Sequence, residues 1–158
     1  MRGGFCYSIT QEENMGWFNY VGFIIIVLIM VPNVVYALKR RSQGNNNVPT
    51  YVVVLENLGR YASMFFLVFN IPNTWFSFFV LNGMLFYILV NSVLVVTYIA
   101  LFIAFWSKTG MAKALWLSIL PSLVFLYSGA MIVSIPLMIS SLLFAFTHVY
   151  ISIRNAHA

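Results

Sequence analysis

Residues 51–69 read YVVVLENLGRYASMFFLVF, a run apolar enough to cross a bilayer yet carrying two formal charges, Glu56 and Arg60, four positions apart. They are the only formal charges of the chain far from the end of such a run. A charge at the bilayer centre costs roughly 2.5 to 3.5 kcal/mol on insertion scales, so it persists where it faces protein or trapped water. At helical spacing Glu56, Arg60, Ser63 and Asn70 share one face, because steps of three and four return to the same side. The stretch thus sets the fold class, a membrane helix, and the candidate site together.

The rest of the chain agrees with it. At 158 residues, 62% hydrophobic and 7% charged, with a mean hydropathy of +0.93, it lies far from the roughly 45 to 50% apolar and 25% charged residues of globular domains. About 20 apolar residues are needed per helical crossing. The apolar runs divide into five spans of one all-α integral membrane bundle, at about 17–38, 51–69, 82–106, 113–127 and 130–153, forming a single domain over 15–158. Lys39, Arg40 and Arg41 stop the first run, and Gly44, Asn45, Asn46, Asn47 and Pro49 mark a solvent loop. Asn70, Pro72 and Asn73 break the second, and residues 75–79 form an interfacial lead-in to a long third span. A hairpin at Tyr127, Ser128 and Gly129 separates the last two, in which Pro121 and Pro136 are expected to kink the helices. Residues 1–14 are polar, with Glu12 and Glu13 where the apolar core of a secretory signal would fall. They are read as a disordered extension, with Met15 a candidate start.

With five spans, Lys39, Arg40, Arg41, Lys108, Lys113 and Arg154 fall on one side, which places the amino terminus outside and the carboxyl terminus in the cytoplasm of a multi-pass cell-membrane protein. Trp17 and Trp75 then lie at the outer interface, Trp106 and Trp116 at the inner, as interfacial belts require.

The last span places Ser134, Ser141, Ala145, His148 and Ser152 on one face, and antiparallel helices bring residues of constant number sum to equal depth. Glu56 with His148, Ser63 with Ser141 and Asn70 with Ser134 share one such sum, so spans two and five are expected to pack. Their seam is Gly59, Ser63, Asn70, Ser134, Ser141 and Ala145, small and hydroxylic residues that permit close approach. Glu56 falls roughly 8 Å and Arg60 roughly 14 Å inside the cytoplasmic boundary. Asn33 matches the depth of Glu56, and Tyr98 that of Arg60. Glu56, Arg60, His148, Asn33 and Tyr98 therefore form a cytoplasm-facing layer that is the candidate ligand- or proton-binding site. The structural alternatives are an ion pair in the favourable Glu-before-Arg order, a packing histidine, and an asparagine that satisfies backbone freed by Pro32. Asn91 reads as helix glue or as a subunit contact.

Other chemistries are excluded by residue type. Zinc needs three or four properly spaced ligands, and the spans hold only Glu56 and His148, so no metal or other cofactor is expected. A serine nucleophile needs a base and an orienting acid, but there is no Gly-x-Ser-x-Gly elbow and no aspartate. Cys6 is alone, and the net charge of +5 comes from residues at helix ends with no basic face for nucleic acid. No catalytic residue is assigned.

In Met15-Gly16-Trp17-Phe18-Asn19-Tyr20, Val31-Pro32-Asn33-Val34-Val35-Tyr36-Ala37-Leu38-Lys39 and Asn70-Ile71-Pro72, the chain resembles small multispan membrane proteins of Gram-positive bacteria that carry no assigned function. The resemblance covers most of the chain from Met15 and implies no activity, substrate or cofactor. The residues themselves point to a layer that binds or passes a small solute, proton or anionic group. Because one bundle encloses little space, a homo-oligomer is expected. Membrane lipid is a further partner. The rival readings are a non-catalytic helper or regulatory subunit of a membrane complex with a purely structural Glu-Arg seam, and an intramembrane lipid-modifying enzyme.

Overall fold

The computed structural model describes residues 17–39, 48–69, 82–106 and 110–156. Apart from one isolated bridge between Phe18 and Phe69, the regular structure among them is helical: α1 (Tyr20–Lys39), α2 (Thr50–Val68), α3 (Gly83–Ala104), α4 (Met111–Met131) and α5 (Ile135–Ala156). The last four are long and apolar enough to cross a membrane, and the described apolar stretch of α1 is Tyr20–Val35. The expected extension 1–14 and the lead-in 75–79 lie outside the described residues.

The helices close into a ring. α2 and α4 both pack extensively on α5, α3 packs on α4, α1 on α3, and α1 returns to α2 through a smaller contact. Side-chain pairs give the directions. Glu56 meets His148 and Ser63 meets Ser140, so α2 and α5 are antiparallel; Ser118 with Ser152 and Phe125 with Phe144 make α4 and α5 antiparallel. One end of the bundle therefore gathers the last turns of α1, α3 and α5 and the first turns of α2 and α4. Lys39, Lys113 and Arg154 all lie there, and it is called the basic end below.

Polarity is distributed against the rule for soluble proteins. Asn19, Ser63, Asn91, Ser128 and Ser141 are fully buried, whereas Ile24, Leu58, Val96, Ile139 and Phe146 are exposed. Such a surface is matched to hydrocarbon, and the interior is where hydroxyl and amide groups find partners. The apolar core between them includes Ile29, Val95, Leu120, Val124, Phe125 and Leu137.

Two helix boundaries differ from the sequence reading. α4 runs on through Tyr127, Ser128 and Gly129, and the corner falls at Ile132, Val133 and Ser134. Ser128 is no turn former here because its hydroxyl donates to Asn91 Oδ1 at 3.2 Å, which satisfies it within a helix. At the corner the Ser134 N–H reaches the Gly129 carbonyl at 3.0 Å and the Val133 N–H the Ala130 carbonyl at 3.3 Å. This is a Schellman cap with Val133 at φ 52°, in the left-handed position that usually holds glycine. Pro121 is inside α4. Pro136 is not a kink: it occupies the first turn of α5, where its missing N–H has no helical partner to lose.

Candidate functional site: two polar layers across the bundle

Glu56 is six residues in from Thr50, about 9 Å along the axis at 1.5 Å per residue. Its carboxylate turns toward α5, where His148 Nδ1 lies 2.9 Å from Oε1. A carboxylate only accepts, so Nδ1–H is the donor and Nε2 is left on the far side of the ring. Arg60, one turn further along α2, donates through Nη2 to the same Oε1. Among the described residues Glu56 Oε2 accepts no hydrogen bond, and the other Arg60 N–H groups make none. Phe144 holds the group together: its ring stacks on His148 at 4.7 Å and lies 5.8 Å from the Arg60 guanidinium carbon.

Glu56 is sealed, with 6% of its side chain exposed, but Arg60 keeps 33% and His148 21%. The acid is thus interior, and its two hydrogen-bond donors reach the surface. Close approach makes this possible. A Cβ on Gly59 would stand 2.8 Å from the Phe144 backbone nitrogen, so a side chain there would push α5 away and open the Glu56–His148 contact.

Tyr98 and Asn33 complete the level. The buried Tyr98 hydroxyl donates to Asn33 Oδ1 at 3.1 Å, and the Asn33 amide donates back along its own helix to the Ile29 carbonyl at 3.2 Å. Asn33 lies six residues before the end of α1 and Tyr98 six before the end of α3, again about 9 Å deep. All five expected site residues therefore lie at the basic end, as an ion-paired trio on α2 and α5 beside an amide-phenol pair on α1 and α3.

The seam was predicted one residue out of step. Ser63 meets Ser140 at 3.2 Å rather than Ser141, whose hydroxyl donates to the Met138 carbonyl at 2.9 Å. Gly59 lies against Phe144. The constant-sum rule treats both helices alike, but α5 presents a ridge of four-residue steps, Ser140, Phe144 and His148, against the mixed three- and four-residue steps of Glu56, Gly59 and Ser63. Ser134 belongs to the corner before α5, and Ser152 turns to α4, where its hydroxyl bonds Ser118. Asn70 lies outside the described residues.

A second polar layer, toward the opposite end, was not expected. Asn19 Nδ2 donates to the Leu67 carbonyl and to the Tyr87 hydroxyl, both at 3.1 Å, and its Oδ1 caps α1 by accepting the Gly22 N–H at 2.9 Å. Asn91 Nδ2 donates to the Tyr87 carbonyl at 2.9 Å and its Oδ1 accepts from Ser128. Asn91 is therefore helix glue inside one chain. An asparagine directly before an apolar run is a helix-capping signal, and this one was legible at Asn19. The partners of Tyr87 and Ser128 had no comparable signal.

Among the described residues no group of three or more His, Cys, Asp or Glu could hold a metal. Comparison of the chain with protein-family models, with curated proteins and with solved structures returns no match. Function has to be read from the two layers themselves.

Proposed function

We propose that this multi-pass membrane protein binds a small anionic group at the Glu56–Arg60–His148 layer and takes up a proton with it. All five helices cross the cell membrane in this reading, with the amino terminus outside, the basic end in the cytoplasm and several copies assembled around the path. The observation that carries it is the asymmetry of the trio: a sealed acid whose two donors are part-exposed, one of them, Arg60, with uncommitted N–H groups.

Charge arithmetic supplies the coupling. Arg60 and Glu56 together are neutral, so an added monoanion leaves one negative charge in a low-dielectric layer, where Coulomb terms are several times larger than in water. One proton on the Glu56–His148 pair restores neutrality. The pair then holds a carboxylate beside an imidazolium, or a carboxylic acid beside a neutral imidazole, and the proton moves between the two along the 2.9 Å contact. The anion replaces Glu56 as counter-ion of Arg60.

The test is titration calorimetry of the detergent-solubilised protein with sodium phosphate and sodium acetate, against Arg60→Met, which keeps the length and removes the charge. Binding by the parent and its loss in a folded Arg60→Met protein support the reading. A rival has its own support: both donors on Glu56 close on one oxygen over a glycine contact that locks α2 to α5, as a helper subunit with a structural seam requires. That rival predicts no anion binding by the parent and loss of folding in Arg60→Met.

A further inference from the structure

We propose that the basic-end half of the seam between α1 and α2 is a lateral crevice that admits a singly charged phosphate, lipid-borne or free, onto Arg60, with Asn57 and Asn33 as further ligands. This rests on the anion-binding reading above and adds the ligand's chemistry, its route and two residues.

The crevice follows from two facing stripes. On α1, Gly22, Ile26, Ile29 and Asn33 lie at helical spacing on one line, and on α2 so do Leu67, Met64, Arg60 and Asn57. At one end the stripes are in hard contact: a Cβ on Gly22 would stand 2.6 Å from the Leu67 carbonyl oxygen, and the Asn19 N–H donates to the Val68 carbonyl at 2.8 Å. Ile29 and Leu67 are fully buried, and Ile26 and Met64 pack on the core. Further along the same lines burial is lost. Asn33 is exposed and Asn57 is half-exposed, and a third of Arg60 is exposed, although each continues a stripe that is interior elsewhere. Among the described residues, every hydrogen bond joining α1 to α2 falls between Phe18–Gly22 and Leu67–Phe69. The hydrogen bonds that clasp the two helices are thus at one end, and the part-exposed polar residues of both stripes are at the other. Behind them stands the Tyr98 hydroxyl, bonded to Asn33.

The groups lining this opening suit phosphate. Arg60 offers a fork of N–H donors that matches tetrahedral oxyanions. Asn57, three residues before it and so beside it on the helix surface, adds an amide with no hydrogen bond among the described residues. Asn33 brings an amide from the other wall. One cation and neutral amides select a single negative charge, as on a phosphodiester or dihydrogen phosphate. The opening lies between neighbouring helices on the flank of the bundle, where a lipid headgroup and a soluble ion both have access.

Affinities for sodium phosphate and for dihexanoyl phosphatidylglycerol, measured on the full chain in maltoside micelles, test this with Arg60→Met, Asn57→Leu, Asn57→Gln and Asn33→Leu. The expected result is loss of binding in Arg60→Met, a drop of about fivefold in Asn57→Leu and Asn33→Leu, and recovery in Asn57→Gln. Phosphate binding alone identifies a soluble ligand and phosphatidylglycerol binding alone a headgroup; either supports the crevice. Loss in Arg60→Met with both leucine variants at parental affinity overturns the crevice and leaves the anion site standing. A parent that binds neither probe, or an Arg60→Met protein that binds as the parent does, overturns both.

Discussion

Glu56 Oε1 serves two donors, one from its own helix and one from α5, so the side chain joins local and tertiary structure in one atom. Taking away one partner of a buried ion pair costs about 3 to 5 kcal/mol. Arg60 is a third exposed and water recovers part of that, so Glu56→Gln is expected to lose about 2 kcal/mol, read as an earlier midpoint in SDS-induced unfolding. Adding Arg60→Met to it restores much of the loss, because no uncompensated charge then remains. Glu56→Gln also reports on coupling. With Arg60 as the remaining fixed charge, an anion neutralises the layer without help, so the variant binds phosphate with no proton uptake. The parent takes up close to one proton per anion and binds more tightly as pH falls. Calorimetry in two buffers of different ionisation enthalpy measures the difference.

The α2–α5 pair shows what a helical stripe read from sequence contains and what it omits. Spacing placed Glu56, Arg60, Ser63 and Asn70 on one face and His148 opposite Glu56, and Glu56 and Ser63 do meet α5, the former through His148. The partner of Ser63 depended on which ridge of α5 enters the groove of α2, which no single helix specifies. Disulfide trapping resolves the one-residue difference: in a Cys6→Ser background, Ser63→Cys with Ser140→Cys cross-links rapidly, and Ser63→Cys with Ser141→Cys does so slowly or not at all. The corner between α4 and α5 carries a second element-scale prediction. A β-branched residue in the left-handed region costs roughly 1 to 2 kcal/mol, and Val133 sits there at φ 52°. Val133→Gly is expected to gain about 1 kcal/mol in the same unfolding assay, some of the relief being offset by lost packing of a half-buried side chain.

Across the whole molecule, helix ends and polar layers are arranged along one axis. The basic residues Lys39, Lys113 and Arg154 share an end, with exposed Trp106 and Trp116 near it and exposed Trp17 at the other. That is the arrangement a membrane with a positive inner side selects. The one cysteine, Cys6, tests it directly. In intact cells a membrane-impermeant maleimide is expected to label Cys6, and a cysteine introduced by Asn155→Cys only after permeabilisation. The reverse pattern would invert the bundle and send the crevice to the outer face.

Composition and the spacing of charges were enough to determine a bundle of helices apolar enough to cross a membrane, the shared level of its buried acid and part-exposed guanidinium, and the histidine that meets the acid. These follow from local chemistry, since hydrocarbon tolerates neither an unpaired charge nor an unbonded backbone, and a helix repeats every 3.6 residues whatever surrounds it. Tertiary structure alone decided the partner of Ser63, the continuation of α4 through Ser128 and Gly129, and the Asn19–Tyr87–Asn91–Ser128 network. Each of these depends on how closely two helices approach, a distance set by both surfaces at once and written in neither.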